Sequence, residues 1–259
     1  HACGVLKVLG NYIRERGETM YTQQQLEKFR DIINSSTRAV FFGGAGVSTE
    51  SGIPDFRSQD GIYRQKYAYP PEYILSATFF RTHTEEFFDF YRDKMVYPSA
   101  KPNAAHLKLA EWEREGKLAA VMTQNIDGLH QMAGSKTVLE LHGSVWRNAC
   151  VRCGKKYPAE SVLSCAGVPR CGCGGVIKPE VVLYEESLDN EVLERSVDYI
   201  RRADTLIIGG TSLNVYPAAG LIDFFGGKNL VVINKGATAR GVEGALYIDS
   251  PIAEFLSKV

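Results

Sequence analysis

The sequence predicts an α/β fold, namely a doubly wound parallel sheet with a smaller domain inserted into it. Two observations carry this prediction. Short apolar runs alternate with helix-length stretches along the chain, which is typical of buried parallel strands. Five of the six cysteines lie at 150–173, and four of them form two closely spaced pairs, which indicates a separate metal-binding module. The 259-residue chain is long enough for one large core with such an insert.

The first predicted element is a helix. Thr22 and Gln25 have the spacing of a capping box, in which each side chain bonds the other residue's backbone N–H. Apolar residues then recur at helical spacing at Leu26, Phe29, Ile32 and Ile33. The polar residues at 34–36 are expected to end the helix.

Four buried strands follow, each a short apolar run bounded by glycine or polar residues. They are predicted at 38–42, 119–122, 206–208 and 230–233. Candidate ligand groups come directly after each run, at 43–46, 123–127, 209–212 and Asn234. Because ligands of open α/β sheets bind at the carboxyl ends of the strands, we expect these groups to line one crevice.

The first of these strand ends is rich in glycine. Gly43, Gly44 and Gly46 allow close backbone approach to a phosphate, and we expect exposed N–H groups there to bind the anion. A G-x-G-x-x-G fingerprint from Gly44 would require glycine where the chain has Thr49, and no P-loop lysine follows. A tight structural turn is therefore the alternative interpretation of this loop.

Polar side chains cluster after the second strand and near residue 142. Gln124, Asn125 and Asp127 offer amide and carboxylate groups to a ribose and an amide, the alternative being that they cap the next helix. His142 follows a short apolar segment and is a candidate general base, although a lone histidine is often structural. His106 and His130 lie in helical patterns, and we expect them to be structural.

Four cysteines have the spacing of a zinc site. Cys150 and Cys153 are separated by two residues, and Cys171 and Cys173 by one. Four thiolates close a tetrahedral cage around Zn²⁺ and leave no open position, so the predicted metal is structural. Because the second knuckle is shorter than usual, Cys171 is the weakest member of the predicted set, and Cys165 is its substitute.

These patterns predict the domain organisation. The nucleotide-binding domain is expected at 20–57, 105–145 and 180–259, and the metal module at 146–179. Residues 58–104, rich in aromatic side chains and proline, are expected to form a loop followed by the helical part of the small domain. Residues 1–19 are treated as an N-terminal extension that need not be native, since the chain begins with histidine.

Charge and hydropathy restrict the partners. The chain has 30 basic and 30 acidic residues, which argues against the electropositive surface of a nucleic-acid-binding protein. No apolar stretch approaches the roughly 20 residues of a membrane span, and no signal-peptide core is apparent. We expect a cytoplasmic protein with no membrane or direct nucleic-acid partner.

Six ordered motifs resemble one family, the sirtuins, which are NAD-dependent protein lysine deacylases. The motifs are GAGVSTESGIPDFR at 44–57, TQNIDGLH at 123–130, LHG at 141–143, the paired cysteines, GTSLNVYPAA at 210–219 and VIN at 232–234. The resemblance covers residues 22–259 and implies a Rossmann-like domain with a small zinc-ribbon and helical domain. NAD and an acyl-lysine peptide would meet in the cleft between them.

The resemblance also implies a reaction and its residues. The acyl oxygen would attack the nicotinamide ribose and displace nicotinamide, forming an alkylamidate. With His142 as general base, a ribose oxygen would then attack the amidate, and water would finally release lysine. Nicotinamide, O-acetyl-ADP-ribose and free lysine would be the products. Asn125 and Asp127 would order the nicotinamide pocket, and a loop at 58–70 would become ordered when NAD binds.

By the same resemblance, further residues would contact the two substrates. Those assigned to NAD are Gly44, Ala45, Gly46, Thr49, Asp55, Phe56, Arg57, Gln124, Asn125, Ile126, Asp127, His142, Gly210, Thr211, Ser212, Asn234, Lys235 and Ser250. Those assigned to the peptide, which would add as a strand, are Val181, Val182, Leu183 and Tyr184.

Two departures from the family concern the substrate. Glu185 replaces a glycine that many relatives have, and we expect its carboxylate to favour basic peptides. The Tyr and Arg pair that reads acidic acyl groups in desuccinylase-like members would fall near Asp93 and Met95, and neither matches. Removal of acetyl or other uncharged acyl groups is therefore expected, with weak desuccinylation.

Two other functions fit the same pocket. One is an ADP-ribosyltransferase or NAD hydrolase that needs no acyl-lysine. The other is a non-catalytic module that senses NAD, against which Asn125 and His142 argue.

Overall fold

The computed structural model of the chain describes residues 21–56, 61–62, 67–236 and 243–259. The predicted NAD contact at Arg57, the extension at 1–19 and most of the loop at 58–70 lie outside these residues. Of the helices in the described part, none is long and apolar enough to cross a membrane.

Nine strands and nine helices make up the described chain. The strands are β1 (Ala39–Gly43), β2 (Leu118–Thr123), β3 (Val138–Glu140), β4 (Gly143–Cys150), β5 (Lys156–Pro158), β6 (Ile177–Val181), β7 (Thr205–Gly209), β8 (Asn229–Asn234) and β9 (Leu246–Asp249). The helices are α1 (Gln23–Ser35), α2 (Pro71–Ile74), α3 (Ala77–Thr82), α4 (Thr84–Lys94), α5 (Ala104–Arg114), α6 (Leu129–Ala133), α7 (Glu160–Leu163), α8 (Asn190–Arg201) and α9 (Ile252–Leu256). Short 3₁₀ helices cover Ala45–Val47, Thr49–Ser51 and Ala218–Phe224.

Helix α1 begins as its sequence predicts. The Thr22 hydroxyl accepts a hydrogen bond from the Gln25 backbone N–H, and the Gln25 side chain accepts one from the Thr22 N–H. These reciprocal bonds satisfy two donors that a helix start would otherwise leave unpaired. The helix ends at Ser35, within the polar residues expected to stop it.

Six strands form one parallel sheet in the order β3-β2-β1-β7-β8-β9. The predicted α/β class and parallel sheet are confirmed. The four predicted strands are present as β1, β2, β7 and β8, with each end one residue from the prediction. The register places Gly43 beside both Thr123 and Gly209, so the carboxyl ends of the three central strands are level.

Alternate residues of the central strands enter two core clusters, one on each side of the sheet. Phe41, Val121 and Ile207 belong to a cluster with residues of α1, α5 and α9. Phe42, Met122 and Ile208 belong to another with residues of α8 and the 3₁₀ helix Ala218–Phe224. Burial on both faces explains why these strands have continuous apolar sequences.

A second, smaller sheet is antiparallel, in the order β5-β4-β6. It shares a third core cluster with the aromatic residues of α3 and α4, among which Phe79, Phe87 and Phe88 are fully buried. The aromatic residues predicted at 58–104 are thus largely core. The exact limits of the two domains remain a prediction.

Candidate functional site

The glycine-rich loop lies directly on the end of β7. The Gly44 N–H donates to the Gly209 carbonyl at 3.2 Å, and the Gly46 N–H donates to the Gly210 carbonyl at 2.8 Å. A Cβ on Gly46 would lie 2.8 Å from the Gly210 Cα, closer than real Cβ contacts. The expectation that these amides face an anion is therefore wrong for Gly44 and Gly46, because carbonyl groups engage them. The absence of side chains at Gly44 and Gly46 instead lets this loop pack closely on the backbone of Gly209 and Gly210.

Gln124 links three strand ends. Its backbone N–H donates to the Gly43 carbonyl at 2.9 Å, and its side-chain amide donates to the Thr211 hydroxyl at 3.0 Å. Thr211 is buried, and Gly210 before it has a left-handed φ of 57°. The polar residues predicted after β1, β2 and β7 are thus brought together at one edge of the sheet.

A hydrogen-bonded network lies beneath this edge, with Ser48 at its centre. The Ser48 hydroxyl donates to the Asp127 carboxylate at 2.6 Å and accepts from the Asn125 side-chain amide at 3.0 Å. The other Asp127 oxygen accepts from the Leu129 N–H at 2.9 Å, so Asp127 also binds the first N–H of α6. Burial raises the pKa of Asp127, and the hydrogen bonds from Ser48 and Leu129 oppose that rise.

Sequence reasoning missed Ser48, which lies against His106, a histidine expected to be structural. Ser48 is 1% exposed, and its oxygen lies 3.5 Å from Nε2 of His106. Burial lowers the pKa of His106 to about 4, so its ring is neutral at pH 7. The Asn103 N–H donates to Nδ1 of the same ring. The only sequence signal for Ser48 was its position inside the 44–57 motif.

His142 is held between the two sheets. Its Nδ1 lies 2.9 Å from the Gln124 carbonyl, which can only accept, so Nδ1 carries the proton and Nε2 has a free lone pair. Its own carbonyl accepts from the Val182 N–H at 2.9 Å. Burial lowers the pKa of His142, and the hydrogen bond to Gln124 partly offsets that. The arrangement suits a neutral base.

Glycine is required directly after this histidine. Gly143 has a φ of 76°, and a Cβ there would lie 1.9 Å from the Glu180 carbonyl oxygen. The chain of β6 therefore passes against the backbone of β4 at this point. This contact places the segment from Val181 onward beside His142.

The segment predicted to bind peptide runs from Val181 to Tyr184 and is tied to the helical part of the chain. Tyr184 donates its N–H to the Leu75 carbonyl at 2.9 Å and accepts from the Ala77 N–H at 3.0 Å. Val181 and Leu183 are buried, whereas the Tyr184 side chain is exposed.

The Glu185 carboxylate, expected to favour basic peptides, is exposed at the start of α3. It accepts a hydrogen bond from the Thr78 backbone N–H at 2.9 Å, at the start of α3. Hydrogen bonds from the side chain and the backbone of Thr78 lower the pKa of Glu185. Its φ of 74° also explains why glycine is suited to this position. The carboxylate is thus held at the start of α3 and keeps its charge, and its preference for basic peptides stays a prediction.

The other predicted contacts lie around the same crevice or at its far end. Thr49 donates its hydroxyl to the Gly46 carbonyl at 3.1 Å, and the Asp55 carbonyl accepts from Ile62 at 2.9 Å. The half-buried Phe56 and Ile126 pack against the small-sheet core.

At the far end, Ser250 is buried and donates its N–H to the Asn234 carbonyl at 3.2 Å, while Lys235 is exposed. Ala45 and Ser212 are half-buried.

The four predicted metal ligands converge. The sulfur atoms of Cys150, Cys153, Cys171 and Cys173 all lie within 4.8 Å of one another, with pairs at 3.4 and 3.6 Å. Sulfurs around a tetrahedral Zn²⁺ lie about 3.8 Å apart, given Zn–S bonds of about 2.3 Å. The cage therefore fits zinc, and the short second knuckle does provide two ligands. Cys165 lies outside this cluster.

With this geometry established, comparison with known proteins identifies the family. The Sir2 family model matches residues 44–217, which is more than half of the chain. A protein of Clostridium acetobutylicum called NAD-dependent protein deacetylase is 56% identical over 244 residues, covering 93% of this chain and 100% of the relative. This chain belongs to the Sir2 family.

Solved Sir2 structures share its fold. A Sir2 variant with deacetylated p53 peptide and 3'-O-acetyl ADP ribose superposes with a TM-score of 0.83 at 41% identity, covering 90% of this chain and 96% of that one. A Sir2 bound to a propionylated peptide gives a TM-score of 0.78 at 40% identity with the same coverage. The predicted membership of the sirtuin family is confirmed.

The cysteine cage leads to a prediction about zinc. Cys171→Ser removes one of the converging thiolates, and we expect zinc affinity to fall roughly tenfold or more. Cys165→Ser is the matched control and should retain one zinc ion per chain. Zinc content after dialysis against a chelator measures both. Full zinc retention in Cys171→Ser would show that Cys165 replaces Cys171.

Proposed function

We propose that this Sir2 family member is an NAD-dependent protein lysine deacetylase. It transfers the acetyl group of an acetyl-lysine to the ADP-ribose part of NAD and consumes one water, giving nicotinamide, O-acetyl-ADP-ribose and free lysine. The observation that carries the proposal is the position of His142 beside Gln124, which joins it to the edge where Asn125 and Asp127 are held by Ser48.

The polar groups at this edge fit NAD. The hydroxyls of Thr211 and Ser212 and the amide of Gln124 suit phosphate and ribose oxygens, and Asn234 suits the far ribose. Because carbonyl groups at the end of β7 engage the Gly44 and Gly46 amides, we assign the phosphate contacts to these side chains and to the Ala45 amide. The set proposed to contact NAD is that of the sequence analysis, including Thr49, Asp55, Phe56, Arg57, Ile126, Lys235 and Ser250.

Bound NAD supplies the electrophilic ribose carbon and the nicotinamide leaving group. Asn125 and Asp127 would orient the nicotinamide end, since Ser48 fixes both side chains. Phe56 would cover the ribose and exclude water. His142, with its free Nε2, would take the proton from a ribose hydroxyl.

The acyl-lysine peptide would add as a strand along residues 181–184, close to His142. The backbone bonds of Tyr184 to Leu75 and Ala77 hold this segment in place, so its remaining backbone groups would bind the peptide. We propose acetyl and other uncharged acyl groups as substrates, since neither Asp93 nor Met95 could pair with an acidic acyl chain. We also propose a cytoplasmic location, because four thiolates holding a metal require a reducing compartment.

A product assay tests the function. The chain is incubated with NAD and the same peptide carrying acetyl-, propionyl- or succinyl-lysine, and products are identified by mass spectrometry. We expect O-acetyl-ADP-ribose and peptide-dependent nicotinamide release with acetyl-lysine, and little turnover of the succinyl peptide. Nicotinamide release without peptide would instead support an NAD hydrolase, and comparable succinyl turnover would contradict the proposed acyl preference.

The pH dependence of turnover tests the role of His142. Burial holds its pKa below the usual 6.5, so the base stays unprotonated, and thus active, to lower pH than an exposed histidine would. The acidic limb of kcat/KM for the acetyl peptide is therefore expected to have its midpoint below pH 6.5. His142→Ala should remove the limb along with most activity. A limb centred above pH 6.5 would contradict this role.

A further inference from the structure

The two sheets meet at the turn that carries Asn125 and Asp127. Two consecutive residues of β4 bind two consecutive carbonyls of this turn. The Val145 N–H donates to the Ile126 carbonyl at 3.0 Å, and the Trp146 indole N–H donates to the Asp127 carbonyl at 2.6 Å. The first contact is between backbones, whereas the second depends on the tryptophan side chain.

The residue after Asp127 has no side chain, which leaves room for the Trp146 indole. Gly128 has a φ of 75°, and a Cβ there would lie 2.7 Å from both Cδ1 and Nε1 of Trp146. Any other residue would clash with the ring and would strain the backbone as well. The glycine thus lets the indole lie close enough to reach the Asp127 carbonyl.

Fixing this carbonyl also fixes the Asp127 side chain. The peptide group that joins Asp127 to Gly128 cannot rotate without breaking the bond to Trp146. One Asp127 oxygen accepts from the Leu129 N–H, and the other accepts from Ser48, which in turn binds Asn125. A rotated turn would misplace all three polar side chains together.

We propose that Trp146 is a positioning residue for the NAD site, holding the Asp127 turn in the orientation that receives the nicotinamide end. This inference rests on the proposed function, because it takes Asn125 and Asp127 as residues of the nicotinamide pocket. Trp146 itself lies in the small sheet and acts through the Asp127 carbonyl.

Trp146→Phe tests the proposal, since it keeps an aromatic ring and removes the indole N–H. We expect the KM for NAD to rise roughly two- to tenfold, the usual effect of one lost hydrogen bond. The KM for the acetyl peptide should change less than twofold, and zinc content should remain one ion per chain. A purely structural tryptophan would lower the melting temperature without separating the two KM values.

The chain offers a matched control, because it has only two tryptophans. Trp112 is buried in the core of the large sheet with Phe29 and Leu118. Trp112→Phe should lower stability and leave the KM for NAD within twofold of the wild-type value. If the wild-type chain does not deacetylate any peptide, the proposed function fails, whereas an unchanged KM in an active Trp146→Phe enzyme overturns only the role of Trp146.

Nuclear magnetic resonance gives a second test that needs no Trp146 variant. The protein labelled with ¹⁵N-tryptophan has two indole signals, which Trp112→Phe assigns. Saturating NAD is expected to shift the Trp146 indole signal and to leave that of Trp112 in place. If Trp146→Phe does not fold, an unshifted Trp146 signal in the wild-type protein overturns the proposal.

Discussion

The close approach of two backbone segments determines the shape of the crevice. The loop at Gly44 and Gly46 packs on the chain at Gly209 and Gly210, with carbonyl and amide groups paired across the contact. A Cβ on Gly210 would lie 2.4 Å from the Val47 N, so neither segment tolerates a side chain there. Because this packing sets where the 3₁₀ turn begins, it also places Ser48 against Asn125 and Asp127. The polar network thus depends on the absence of side chains one turn away.

Strand β4 gives the second constraint, since it serves both parts of the molecule. Its first residue, Gly143, follows the candidate base, its middle residues bind the turn around Asp127, and its last residue, Cys150, belongs to the metal cage. The predicted zinc would hold the Cys150 end of β4, at the opposite end of the strand from His142. It would thereby support the strand that binds the turn around Asp127. This accounts for a closed four-thiolate cage in an enzyme whose proposed reaction needs no metal.

The sequence allowed prediction of what depends on local patterns. Continuous apolar runs revealed the four central strands, the Thr22 and Gln25 pair revealed the start of α1, and cysteine spacing revealed the metal cage. Strand β9 was not predicted, because an edge strand of four residues with only Ile248 buried has too short a pattern. The roles of Ser48 and Trp146 depend on contacts between distant segments, 79 residues apart for Ser48 and Asp127, which no local pattern encodes. For the same reason the hydrogen bond of the Glu185 carboxylate at the start of α3 was not predicted.

Calorimetric titration of NAD into Gly46→Ala tests most directly whether close backbone packing builds the site. The added methyl group would meet Gly210 at 2.8 Å and push the loop off β7, so NAD affinity should fall roughly tenfold or more. Gly226→Ala is the matched control, because a Cβ there meets nothing within 4 Å, and it should bind NAD like the wild-type chain. Wild-type NAD affinity in a folded Gly46→Ala protein would contradict the account.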